Sequence, residues 1–435
     1  MVSPVSQSAR CAILMIAAPS SGSGKTTLTA TLATLHRQHG RRVKVFKCGA
    51  DFIDPMLLAC ASGQPVDNLD LWMVGAARCQ HMLYQAAEDN DLILIEAVMG
   101  LFDGSPSAAD LAIELNLPVL AVIDASAMAQ TFGALAYGLC HYQPALNVVG
   151  VFANKVASTG HAQMLQDSVN ADAWQGYLMR GEAWPERHLG LNLPNELTHL
   201  HQQLQGYADQ LSSQPIAQLL PMVSIAPAPT PMPPPLLAGK TVAVAQDAAF
   251  AFLYPANLQT LRDLGATVVF FSPLAHEPIP EADALWLAGG YPECHLQRLS
   301  EHPSIRQELQ IWIAYHKPIY AECGGMLALC EQLDDGKGHT AALWSVLPAQ
   351  AALQPRLAAL GLQAIDLGAG ELRGHTFHYS TLHTTLTPTH HAKPCRYSGN
   401  GEAVYQYGSL TATYFHAWFA SHPIATAVLF GATLP

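Results

Sequence analysis

Ser20-Ser21-Gly22-Ser23-Gly24-Lys25-Thr26-Thr27 follows directly on the apolar run Cys11-Ala12-Ile13-Leu14-Met15-Ile16-Ala17-Ala18. A buried strand ending in a loop of small residues lets backbone N–H groups point at phosphate oxygens, and the helix that follows adds its dipole. Ser21, Gly22, Ser23, Gly24, Lys25, Thr26 and Thr27 therefore read as a nucleotide-binding loop. Lys25 would reach the terminal phosphates of ATP and Thr26 would ligate Mg2+. The usual pattern has glycine six places before the lysine; Pro19 stands there, so the loop is a variant.

Working outward, short Val-, Ile- and Leu-rich runs recur at 12–17, 43–47, 92–96, 119–123 and 148–153, with helix-compatible stretches between them. That alternation predicts an α/β domain built on a parallel sheet covered on both faces. Ligands of such sheets bind outside the carboxyl ends of the strands. Acids in those places are Asp51 and Asp54 after the second run, Glu96 at the end of the third, and Asp103 shortly beyond it. Thr26, Asp51 and Glu96 are the expected metal-side groups, because magnesium on a phosphate is commonly held by a carboxylate at a neighbouring strand end.

The run Pro-Ala-Pro-Thr-Pro-Met-Pro-Pro-Pro closes at Pro235 and can form neither helix nor inner strand. It divides the chain into an ATP-binding part, 1–225, a linker, 226–239, and a second domain, 240–435. The second domain also begins with strand-like runs and turns to short, partly antiparallel strands beyond Gly370. Its chemical signature is Tyr320-Ala321-Glu322-Cys323-Gly324-Gly325-Met326, a cysteine on a strand-to-helix turn with small neighbours that leave it room. A helix N-terminus there would lower the thiol pKa, and His416 is the candidate proton carrier. Backbone N–H groups of Gly289, Gly290 and Gly324 are the candidate oxyanion donors.

Bulk properties exclude several classes. The formal net charge of −12 argues against general nucleic-acid binding. Arg37, Arg41, Arg42 and Arg187 could still steer a polyanionic substrate. Nine cysteines with no CxxC pair point to reduced thiols in the cytoplasm. No apolar run reaches the roughly 20 residues that span a bilayer, and 11–18 reads as a buried first strand rather than a signal peptide.

With these residues in hand, the chain resembles the cobyrinic acid and hydrogenobyrinic acid a,c-diamide synthases. The likeness rests on the phosphate loop, Asp51-Phe52-Ile53-Asp54-Pro55, Asn68-Leu69-Asp70-Leu71-Trp72-Met73, and Ile95-Glu96-Ala97-Val98-Met99-Gly100-Leu101-Phe102-Asp103-Gly104. It continues in Glu186-Arg187-His188-Leu189-Gly190-Leu191, Leu287-Ala288-Gly289-Gly290-Tyr291-Pro292-Glu293, the Cys323 turn, and Arg373-Gly374-His375-Thr376-Phe377-His378-Tyr379-Ser380.

The resemblance implies a dethiobiotin-synthetase-like first domain and a triad-type (class I) glutamine amidotransferase second domain. Glutamine would be hydrolysed through a thioester on Cys323. Its ammonia would amidate a corrin carboxylate activated by ATP as an acyl phosphate, at side chain c and then a. Asp51, Asp54, Glu96 and Asp103 match residues tied to metal, phosphate or choice of carboxylate. The family also implies a homodimer.

Ala50, Phe52 and Ala97 depart from its commoner Pro, Tyr and Gly. Related amidotransferases carry a glutamate two places after the histidine, where this chain has Trp418; that implies slow glutamine hydrolysis. His375 and His378 have no assigned role. The competing readings are nickel-sirohydrochlorin a,c-diamide synthase, cobyric acid synthase and a ParA-like ATP switch.

Overall fold

The computed structural model describes residues 8–181, 194–230 and 232–434, so Arg187 and the 186–191 stretch lie outside the described residues. The chain forms two compact units, which divide after Thr230.

In the first unit the strands are β1 (Ala9–Ala17), β2 (Val43–Cys48), β3 (Asp67–Leu69), β4 (Leu92–Glu96), β5 (Val119–Asp124), β6 (Val148–Val156), β7 (Trp174–Met179) and β8 (Met222–Ile225). They form one sheet in the order β3-β2-β4-β1-β5-β6-β7, with β8 added antiparallel against β1. Every pairing along the main path is parallel. Ile13, Leu14, Met15 and Ile16 are all buried, as strands covered on both faces require. The order reverses about β1, and this places the crevice at its carboxyl end, where the phosphate loop begins.

Helix α1 (Lys25–Gln38) starts from Gly24, whose φ of 98° is a conformation that favours glycine. The basic run at its far end serves the fold. Arg37 donates to the Ala61 carbonyl, Arg41 pairs with the ring of buried His36, and Arg42 bridges Asp91 at 3.1 Å. Burial, with help from Arg41, pushes His36 down to about 4, so it stays neutral. These arginines sit at the amino end of β2, opposite the end that carries the site, and the steering role read from the sequence has no support in this placement.

In the second unit β9 (Thr241–Ala245), β10 (Thr267–Phe271), β11 (Ala284–Leu287) and β12 (Ile319–Glu322) pair in parallel. Leu410–Thr413 continues the sheet in parallel beside β12, and Ala403–Tyr407 and His390–His391 follow it antiparallel. A second antiparallel group pairs Ala359–Asp366 with Glu371–His378 and sets His375 opposite His416. The mixed α/β architecture, parallel first and antiparallel late, is the one the sequence predicts.

Candidate active sites

The first site is built on register. Lys47 of β2 and Glu96 of β4 are direct pairing partners, and Ile16 of β1 flanks Glu96 on the other side. The Lys47 ammonium donates to Asp54 Oδ2 at 2.6 Å and to Glu96 Oε1 at 2.7 Å, and lies 3.5 Å from Asp51 Oδ2. Burial works against its charge, but Glu96, Asp51 and Asp54 outweigh that and hold Lys47 above the ordinary lysine range. The acids answer in kind. Burial, with Asp54 adding to it against the pull of Lys47, raises Asp51 to about 6. Burial also raises Glu96, again opposed by Lys47.

The phosphate loop closes over this cluster. Thr26 donates its hydroxyl to Glu96 Oε1 at 2.7 Å. Lys25 donates to the carbonyls of Ser20 at 3.2 Å and Met99 at 2.6 Å, tying the loop after β4 to the phosphate loop. The Asp51 loop is fixed from below: buried Asn68 donates to the carbonyls of Gly49 and Asp51. Asp51 in turn accepts from the N–H groups of Ile53 and Asp54, which starts the helix Ile53–Ser62. Asp103 is placed differently from Asp51, Asp54 and Glu96. It is exposed and accepts the Gly100 N–H. A Cβ on Gly100 would meet both the Asp103 carboxylate and the Pro19 carbonyl, so the Asp103 turn lies against the start of the phosphate loop.

Two further residues, Asn154 and Lys155, shape this site and were not singled out from the sequence. Asn154, at the carboxyl end of β6, donates to the Ser23 carbonyl, and its amide stands 1.9 Å from where a Cβ on Gly24 would be. Lys155 donates to the Gly22 carbonyl and to Asp124 at 2.6 Å. The signal was present: a polar pair at the carboxyl end of a buried strand, the ligand end of the sheet.

Magnesium can be tested against these groups. Glu96 Oε2 is buried without a hydrogen-bond partner among the described residues, and the Thr26 hydroxyl lies beside the same carboxylate. An oxygen donor and a hydroxyl next to a phosphate loop suit a cation that keeps most of its water and its phosphate ligands. Among the described residues no set of three or more His, Cys, Asp or Glu side chains stands ready to hold a metal alone; Lys47 fills the middle of the acids.

In the second unit Cys323 sits between β12 and the short helix Gly324–Ala328 with φ 43° and ψ −107°, a strained elbow for a non-glycine residue. Close backbone approach enforces the glycines around it. A Cβ on Gly324 would lie 2.7 Å from the Gly290 nitrogen, and one on Gly325 would lie 2.2 Å from the Leu287 carbonyl oxygen. The backbone N–H of Gly290 is thereby held at the elbow. Gly289 leaves room for the His416 ring, whose Cε1 would be 2.4 Å from an added Cβ.

His416 is buried in the strand His416–Ala417, three residues past Thr413, whose carbonyl accepts the Cys323 N–H at 2.8 Å. Its ring stacks on His375 at 4.9 Å. His378 instead stacks on Tyr414 and contacts Glu402 at 3.1 Å.

The Gly324 N–H at the helix start does lower the Cys323 pKa, as the sequence reading expects, but it does not set the net direction. Burial, then the nearby Glu293 carboxylate, pushes the thiol up, and a helix of five residues cannot offset that. The resting residue is a thiol that needs a base to take its proton.

Comparison with known proteins agrees with both units. Residues 14–178 match the CobQ/CobB/MinD/ParA nucleotide binding domain, and residues 241–424 match the CobB/CobQ-like glutamine amidotransferase domain. The class is thus a nucleotide-binding domain joined to a glutamine amidotransferase domain. Near-full-length relatives narrow it. Hydrogenobyrinate a,c-diamide synthase of Stutzerimonas stutzeri is 52% identical over 97% of this chain and 99% of its own length. The enzyme of the same name from Pseudomonas aeruginosa is 51% identical, over 97% and 98%. Cobyrinate a,c-diamide synthase of Herminiimonas arsenicoxydans is 47% identical over 96% of both chains. The chain belongs to the hydrogenobyrinate and cobyrinate a,c-diamide synthase family.

Proposed function

We propose that this protein uses ATP and glutamine to amidate the a and c carboxylates of hydrogenobyrinic or cobyrinic acid, as a ligase of cobalamin biosynthesis. The observation that carries the reading is the presence on one chain of the phosphate-loop site and the Cys323–His416 elbow, in a sequence aligned from end to end with diamide synthases.

A carboxylate is a poor electrophile, so it must gain a leaving group. The γ-phosphate of ATP passes to the carboxylate oxygen, giving an acyl phosphate and ADP; ammonia then displaces phosphate to form the amide. The backbone of residues 21–24 and Lys25 bind and orient the phosphates. Thr26 and Glu96, with Asp51, would hold magnesium, which supplies charge neutralisation on the phosphates. Lys47 is the fixed cation that faces the acids of the site, Asp54 among them, and Asp103, beside the start of the phosphate loop, is the remaining carboxylate of the proposed substrate or phosphate site.

At the other site His416 takes the Cys323 proton, the thiolate attacks the glutamine side-chain amide, and Gly290 and Gly324 N–H groups, beside Gly289, receive the oxyanion. Ammonia leaves, and water releases glutamate from the thioester.

The same reading takes 1–225 as the synthetase domain, 226–239 as the linker and 240–435 as the amidotransferase domain. It describes a cytoplasmic homodimer that binds neither nucleic acid nor membrane; no helix among the described residues is long and apolar enough to cross one. The test is incubation with Mg2+, ATP, glutamine and each corrinoid, followed by mass spectrometry. Two successive acid-to-amide changes are expected, and the relative rates name the preferred ring. ATP consumption with both corrinoids unchanged would overturn the reading in favour of a switch or another substrate.

A further inference from the structure

We propose that Glu322, the residue immediately before the nucleophile, orients His416 and balances its charge, in the role that related amidotransferases give to a glutamate two places after the histidine. This rests on the reading of Cys323 and His416 as the glutaminase pair.

Glu322 Oε2 lies 3.8 Å from His416 Nδ1, and both side chains are 2% exposed. The other oxygen, Oε1, accepts the N–H of Ala417 at 3.0 Å. One carboxylate oxygen is therefore anchored to the backbone next to the histidine while the other faces its ring. A small ring rotation brings Nδ1 into hydrogen-bond range, as catalytic contacts commonly tighten when substrate binds. The arrangement follows from strand order. Leu410–Thr413 pairs in parallel with β12, Glu322 opposite Thr413, so the chain beyond Thr413 must pass the end of β12, where Glu322 and Cys323 stand.

The other groups around the histidine leave this task to Glu322. His375 stacks on the ring at 4.9 Å, and burial together with His416 itself holds His375 well below the ordinary histidine range, so it is a neutral neighbour. Tyr254 contacts His375 at 3.3 Å. Tyr320, which faces Glu322, is pushed well above the ordinary tyrosine range by burial and by Glu322, and stays neutral. Glu402 is engaged by Thr376 and His378. Trp418, where related amidotransferases carry the acid, is an apolar core residue. When His416 accepts the thiol proton, Glu322 is the carboxylate at its Nδ1.

The experiment compares Glu322→Gln and Glu322→Asp with Cys323→Ser and His416→Ala, measuring glutamine hydrolysis across pH and corrinoid amidation from glutamine or from ammonium chloride. In Glu322→Gln the amide presents a donor to Nδ1 and favours the wrong ring tautomer. Its glutamine kcat is expected to fall on the order of 100-fold, with KM for glutamine within about 2-fold. Ammonium-driven amidation should stay at the wild-type rate, and the acidic limb of the pH profile should move down as the imidazolium loses its counter-charge.

Glu322→Asp keeps the charge and should retain more activity than Gln; if Gln fails to accumulate, Asp carries the test through its pH profile, which should keep the wild-type acidic limb. Unchanged hydrolysis in Gln, or parallel loss of ammonium-driven activity, overturns the positioning role. Glutamine hydrolysis that survives in both Cys323→Ser and His416→Ala would overturn the underlying pair instead.

Discussion

Lys47 Nζ lies 2.7 Å from Glu96 Oε1, and the two residues are direct register partners on adjacent parallel strands. Side chains of paired residues leave the sheet on the same face, so the contact is dictated by the fold. The lysine is then the counter-ion shared by Asp51, Asp54 and Glu96.

Lys47→Met removes that cation and leaves buried carboxylates uncompensated. The variant should lose about 3–5 kcal/mol of stability at neutral pH and essentially all amidation. The pH dependence has a definite sign. Asp51, already raised to about 6, and Glu96, also raised, are both held down by Lys47, so both rise further without it. A group with a raised folded-state pKa contributes stability that is lost as pH rises through that value. The gap between variant and wild type should therefore narrow as pH falls from 8 to 5, read from urea transitions of the first unit.

Gly24 is required by two constraints at once: φ of 98° and a Cβ position 1.9 Å from the Asn154 amide. Gly24→Ala must displace Asn154 or open the loop. Binding of ATP should weaken at least about 10-fold, equivalent to about 1.4 kcal/mol, while glutamine hydrolysis by the other unit is unaffected. Titration with a fluorescent ATP analogue and a glutamate-release assay check the two halves.

The two signatures were legible because each is local: a strand, a run of small residues and a helix start are contiguous in Ser20–Thr27 and in Tyr320–Met326. Position at the carboxyl ends of the predicted strands extended that reading to Asp51, Asp54 and Glu96. What escaped depends on register or on distant chain. Lys47 reads as one polar residue in an apolar strand until β4 places Glu96 beside it. Asn154 reaches the phosphate loop only through closure of the sheet. Glu322 looks like a flank of the elbow until the antiparallel end brings His416 back to it. Strands β3, β7 and β8 were missed because they are short or interrupted: β3 is three residues and β7 contains Gly176 at φ 125°. The expectation for Cys323 fell short because the helix start was weighed without the burial that opposes it.

Glu293 couples that burial to pH. Burial raises its carboxyl to about 7, and its Oε2 has no hydrogen-bond partner among the described residues. The unfolded value is near 4.5, so this group's contribution is fully present below that pH and is lost as pH rises through 7. Glu293→Gln removes the loss. It should be more stable than wild type by about 3 kcal/mol at pH 8 and nearly equal to it at pH 4.5, measured as the urea transition of the second unit. Because Glu293 also raises the Cys323 thiol, the variant should be alkylated faster by iodoacetamide at pH 8.

Trp418 supplies the last test. From sequence, a glutamate placed there should complete a triad and speed glutamine hydrolysis. The structure reverses that expectation. The indole is fully buried and packs edge-on to Tyr254 at 5.0 Å. Glutamate would forfeit most of the ring's packing, a loss on the order of 3–5 kcal/mol, and would bring a second carboxylate near the Glu322–His416 pair without a cation to offset it. Trp418→Glu should melt well below wild type and hydrolyse glutamine no faster. Trp418→Phe, which keeps an aromatic ring against Tyr254, should cost less and retain hydrolysis. Thermal unfolding followed by tryptophan fluorescence, paired with glutamate release, separates the cases. A well-folded Trp418→Glu with faster turnover would mean that the acid position is vacant in the native enzyme and that Glu322 does not fill it.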